Sequence, residues 1–164
     1  MTTPIYRFDT SSNRVGFKLG NIPTVGHSKL NSETRMIGLR LGEEGGAALH
    51  DQLLQVVGNA KESGDVDAKA QHYLPLNDEG ILWLRWSEKL KQQPIFIDAD
   101  RVEFDEAPEI EGGSIVSVVG SLALNGYESA NGPVVTFNCY VKGLQVVSAA
   151  DRLDSLLADL DSIA

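Results

Sequence analysis

The feature that most constrains this chain is a pair of long β-prone runs, Ile115–Leu124 and Val134–Val141, joined by turn formers from Asn125-Gly126 to Asn131-Gly132-Pro133. That combination predicts an antiparallel hairpin, and a strand sends alternate side chains to opposite faces. In the second arm Val135, Phe137, Cys139 and Val141 take the core side. Val134, Thr136, Asn138, Tyr140 and Lys142 take the other.

Other segments share the period of two. Arg14 to Leu19 alternates strictly, with Val15, Phe17 and Leu19 inward and Arg14 and Lys18 outward. Met36–Leu41 alternates again, setting Ile37, Leu39 and Leu41 against Arg40. Ile81–Trp86 places Leu82, Leu84 and Trp86 on one face and Ile81, Trp83 and Arg85 on the other. Ile95–Ile97 follows Pro94 as a short strand, and Leu144–Val147 is a last strand-like piece. The period changes at two places. Leu49, Leu53, Val56, Val57 and Ala60 recur at helical spacing, predicting an amphipathic helix over about 46–62 with Gly64 as its stop. Residues 42–46, with Glu43 and Glu44, read as a turn before it, since those carboxylates oppose the phosphate a helix N-terminus attracts. Leu153, Leu156, Leu157, Leu160 and Ile163 predict a C-terminal helix with Ser148 as N-cap and Asp151 three residues on. Residues 63–80 and 98–111 read as loops.

The fold class is therefore mainly β, with one inserted and one C-terminal helix. Alternation with polar outer faces favours an antiparallel sheet over βαβ units. An OB-like five-stranded antiparallel barrel, partly open and Greek-key in its connections, fits that set of elements. Residues 1–148 are assigned to the barrel and 149–164 to an acidic amphipathic helix or tail.

Composition narrows the function classes. A chain of 164 residues with 42% hydrophobic content can bury a core as one domain. Apolar stretches are strand-sized, far short of the ~20 residues of a membrane helix, and no secretory signal opens the sequence. Cys139 is the single cysteine, so an internal disulfide and a cysteine metal cage are excluded. These features predict a cytoplasmic protein with no membrane partner. Net charge is −9, but it is unevenly spread. Residues 98–111 carry seven acids against Arg101, and 151–164 carry four against Arg152. The first forty residues hold six Arg or Lys against Asp9 and Glu33. Because fields are screened beyond about 10 Å, this local surplus leaves room for an anionic ligand.

Catalysis finds little support. His27, His50 and His72 are scattered and no Gly-x-Ser-x-Gly elbow is present, so no catalytic residue and no cofactor is assigned. Cys139 alternates into a core face and reads as a small buried thiol. Asp98, Asp100, Glu103 and Asp105 could hold a hard cation, but the pattern reads first as a solvated acidic loop, and no metal is assigned. Cations and aromatics are more telling. Trp83 with Arg85, Tyr140 with Lys142, and Arg14 with Lys18 each share one strand face, and Arg40 adds a further outward cation. Rings that stack on bases among cations that follow phosphates suit an unpaired nucleic-acid strand. The alternative is that both rings pack beneath a loop or the helix.

From Gln93 to Val147 the chain resembles the C-terminal half of an OB-fold family of tailed-phage single-stranded-DNA-binding proteins. The matching residues are Gln93-Pro94-Ile95-Phe96-Ile97-Asp98, then Gly120, then Gly132, then Gly143-Leu144-Gln145-Val146-Val147. A helix between a strand and a Trp-bearing strand also fits upstream. The chain departs from the family at Ile115 and Val119, where aromatics are usual, which leaves part of a stacking platform unfilled. The resemblance implies a non-enzymatic protein that binds single-stranded DNA in phage replication or recombination, in the host cytoplasm. It also implies an acidic tail that recruits replication proteins. Here Leu153, Leu156, Leu157 and Leu160 look like a docking face for such a partner, or for a second copy in a homodimer. Two other classes stay open: a virion or assembly β-barrel with no nucleic-acid ligand, and a metal-dependent nuclease built on the carboxylates of 98–105.

Overall fold

The hairpin is the spine of the molecule. The structure is a computed structural model describing residues 3–29, 33–150 and 152–161, without the side chains of 27–29, 152, 154, 155, 158 and 159. Its elements are β1 (Ile5–Ser11), β2 (Arg14–Lys29), β3 (Thr34–Arg40), α1 (Gly42–Ser63), β4 (Gln71–His72), β5 (Ile81–Ser87), β6 (Ile95–Ile97), β7 (Ile115–Ser129), β8 (Gly132–Ser148) and α2 (Arg152–Asp161). β7 and β8 pair from Ile115 opposite Ser148 to Ser129 opposite Gly132. Leu144–Val147 is not a separate strand: β8 continues through a bulge opposite Val119 and Gly120 and absorbs it. Gly120 is demanded by close approach there, since a Cβ would lie 2.2 Å from the Tyr140 carbonyl oxygen.

β2 is long enough to serve three neighbours. It pairs with β7 along residues 14–23, with β1 along 14–20 and with β3 along 24–29. β3 in turn pairs with β5, Gly38 facing Trp83. The sheet runs β4-β8-β7-β2-β3-β5, with β1 on β2 and β6 on β8. β5 and β8 run side by side, so the sheet curls into the OB-like barrel. Among the described residues eight strands replace the expected five, and two short pairings, β4 and β6 on β8, are parallel. Short parallel additions leave no mark in the alternation.

The inward faces follow the alternation. Val15, Phe17, Leu19, Ile37, Leu39, Leu82, Leu84, Val116, Val118, Leu122 and Val135 are buried together with Leu49, Leu53, Val56 and Val57 of α1. α1 begins earlier than its apolar stripe, and residues 42–46 belong to it instead of forming a turn. Gly45 and Gly46 are small for a packing reason: a Cβ would lie 2.6 Å from the Tyr6 ring and 3.1 Å from the Gly80 Cα. Gly64 ends the helix in the left-handed conformation, as the sequence predicts. Tyr6 donates a hydrogen bond to the Leu41 carbonyl at 2.7 Å, tying β1 to the start of α1. Ser148 ends β8 and so does not cap α2, while Asp151 and Ile163 lie outside the described residues.

Candidate nucleic-acid interface

The barrel closes unevenly between β5 and β8. At one end residues 71–77, expected as loop, form a strap. β4 pairs with Val134 and Val135, and the Tyr73 N–H donates to the Val135 carbonyl at 2.9 Å. The strap then crosses to β5, where the Trp83 N–H donates to the Pro75 carbonyl at 2.9 Å and Leu76 bridges Leu82. At the other end β6 lies on Gly143–Gln145, and Phe96 meets Trp86 with ring centroids 5.6 Å apart. Between these closures the seam opens into a cleft of about 610 Å³. Tyr73, Trp83, Arg85, Asn138 and Tyr140 are among its walls.

The β5 and β8 walls follow from strand parity. Leu82, Leu84 and Trp86 point inward and are buried, so Trp83 and Arg85 point outward. Trp83 is partly exposed, and the room for its indole comes from Gly38 across the ladder. A Cβ at Gly38 would sit 3.0 Å from the indole Cη2 and Cζ3 and 2.2 Å from a Val25 methyl. Trp86 is only 4% exposed and touches the cleft from beneath. On β8 the outward set is Thr136, Asn138 and Tyr140, with Tyr140 about half exposed. Cys139 is mostly buried and packs against the core, where its Sγ donates to the Trp83 carbonyl at 3.7 Å across the seam. Burial pushes this thiol's pKa up, the nearby Arg85 backbone and charge offsetting it in part.

A second hollow of about 400 Å³ opens on the outer face of β2, β7 and β8. Cross-strand rows set Asp9, Gly16, Ser121 and Tyr140 side by side, and next to them Arg7, Lys18 and Val119. Lys142 is the extra residue of the β8 bulge and is exposed. Arg14 lies in the adjoining row, its guanidinium carbon 5.5 Å from the Tyr140 ring centroid. The predicted Trp83, Arg85, Tyr140, Lys142, Lys18 and Arg14 thus come together around β8. Arg40 is exposed near the end of β3, on the face of Trp83 but outside both hollows. Asn138 and Thr136 were legible as Tyr140's neighbours at i−2 and i−4, whereas Tyr73 reaches the cleft only because the strap pairs with β8.

The remaining candidates are accounted for locally. The Asp98 carboxylate accepts the backbone N–H groups of Asp100 and Val102, each at 2.9 Å, so it serves a turn. Among the described residues no three His, Cys, Asp or Glu converge as a metal site. His50 and His72 are exposed, and the side chain of His27 lies outside the described residues. Leu153, Leu156, Leu157 and Leu160 of α2 are each about half exposed. No described helix is long and apolar enough to cross a membrane.

No protein-family model matches the chain, and no curated protein does. Solved structures do. The single-stranded DNA-binding protein from bacteriophage Enc34 superposes with a TM-score of 0.56 at 16% identity, covering 92% of each chain. Its complex with single-stranded DNA gives 0.55 at 17% identity, covering 91% of this chain and 96% of that one. The gp2.5 single-stranded DNA-binding protein of bacteriophage T7 gives 0.53 at 11% identity, covering 85% and 91%. At such identities the likeness is one of architecture: this chain has the fold of those phage single-stranded-DNA-binding proteins.

Proposed function

We propose that the chain binds single-stranded DNA without regard to sequence, in phage-type replication or recombination, and is not an enzyme. Bases stack on Trp83 and Tyr140, while Arg14, Lys18, Arg85 and Lys142 neutralise phosphates and Arg40 makes a flanking contact. The observation that carries this reading is the seam cleft, where a partly exposed indole and a half-exposed phenol stand with the exposed Arg85, and Arg14 lies over the Tyr140 ring. Every base offers a ring face to stack on, which makes such a site sequence-tolerant. That the fold is shared with phage proteins that bind single-stranded DNA, one solved with it bound, supports the same ligand here. In this reading residues 1–148 hold the DNA in the host cytoplasm. The acidic helix of 149–164 presents Leu153, Leu156, Leu157 and Leu160 to a replication protein or to a second copy.

The test is a fluorescence titration with labelled dT and rC oligonucleotides across a series of salt concentrations. Each phosphate neutralised adds about 0.7 to the slope of log affinity against log salt, so four cations give a slope of about −2.8. Affinity that ignores salt would take the cations away from the backbone. It would favour a structural β-barrel of a virion instead.

A further inference from the structure

Tyr140 lines both hollows, the seam cleft and the one across β2, β7 and β8. The second hollow is a trough. Its floor is Gly16, Gly120 and Ser121, and Lys18, Lys142 and the exposed Val119 flank it. The glycine at 120 is required by the bulge, whose extra residue is the exposed Lys142. One carboxylate, Asp9, also lines the trough, and it pairs with Arg7 at 3.7 Å. Small residues bring the backbone close to any occupant, two cations suit an anion, and Val119 offers an apolar contact for a sugar or base edge.

Resting on the DNA reading above, we propose that the bound strand does not end in the seam cleft but bends over Tyr140 into this trough. There Lys18 and Lys142 each hold a phosphate of the same strand, as a separate subsite. Tyr140 is the pivot between the two. Crossing from β8 to β2 spans two strand spacings of about 4.8 Å. That distance takes at most about three nucleotides, because a bent, unpaired strand advances at least the ~3.4 Å per nucleotide of a duplex strand. The trough therefore engages only strands longer than the cleft alone can hold.

The experiment compares oligo-dT of about four and about eight nucleotides, lengths within the range one such barrel occupies. Wild-type protein gains affinity with length. In Lys18→Ala/Lys142→Ala the ratio of long to short affinity falls about fivefold, as two exposed charge contacts are lost. Its salt slope for the long oligonucleotide drops by about 1.4. Ser121→Glu, which places a carboxylate on the trough floor, lowers the same ratio. A ratio equal to wild type in both variants overturns the trough while leaving the cleft standing. Wild-type protein that binds neither length removes the DNA reading itself, and the trough with it.

Discussion

Replacing each tryptophan in turn separates binding from folding. Trp83 is partly exposed on the cleft wall, so Trp83→Ala removes a stacking surface and little core. A stacked base is worth about 1–3 kcal/mol by alanine substitution. Because part of this indole is already covered over Gly38, the lower half of that range applies, or about 5- to 30-fold in affinity. Trp86 is 4% exposed and packs on Phe96, so Trp86→Ala opens a cavity and costs about 3–5 kcal/mol of stability. The chain has two tryptophans, which makes the optical assay clean. In Trp86→Phe the remaining indole at 83 should be quenched by oligo-dT, whereas in Trp83→Phe the indole at 86 should respond little. Urea melts report the stabilities, and anisotropy of labelled oligonucleotide reports affinity. A folded Trp83→Ala that binds as wild type would refute the stacking argument.

Three further outcomes follow from the geometry. Gly120→Ala forces a methyl into the Tyr140 carbonyl and to 2.8 Å from the Phe17 ring, costing about 1–3 kcal/mol in urea melts and weakening DNA binding as the bulge shifts. The Cys139 thiol has its pKa raised by burial above the ordinary 9.0. Its stabilising contribution is therefore complete below pH 9.0 and is lost as pH rises through the folded value, so denaturant midpoints measured on either side should fall in the wild type and fall less in Cys139→Ala. Deleting 149–164 should leave oligo-dT affinity unchanged or raised, because a segment with four acids against one Arg is removed; a large loss in a truncated protein that still melts cooperatively would count against a separate tail.

Much of the fold was legible because burial on one face imposes a period of two, and a slip of one residue would exchange the faces. Val15, Phe17 and Leu19, Ile37 and Leu39, and Leu82, Leu84 and Trp86 are all inside as their alternation requires. β1 was missed although Tyr6 and Phe8 sit at its alternate positions, because their inner partners include a helix more than thirty residues away. The glycines at 45 and 46 read as a turn, since sequence registers their flexibility but not the neighbouring Tyr6 and Gly80 that crowd a larger side chain.

The outward cations and aromatics behaved in the same way. By itself the sequence determined that Trp83, Arg85, Tyr140, Lys142, Arg14 and Lys18 face away from the core, because parity along a strand is a local property. It could not say that three different strands bring them around one cleft and one trough, or that Arg40 stays apart. Those outcomes depend on which strands neighbour each other, on the bulge at Gly120, and on a seam left open between a strap and β6. Pairing between distant segments is set by the closure of the whole sheet, and no residue's own neighbours in sequence carry it.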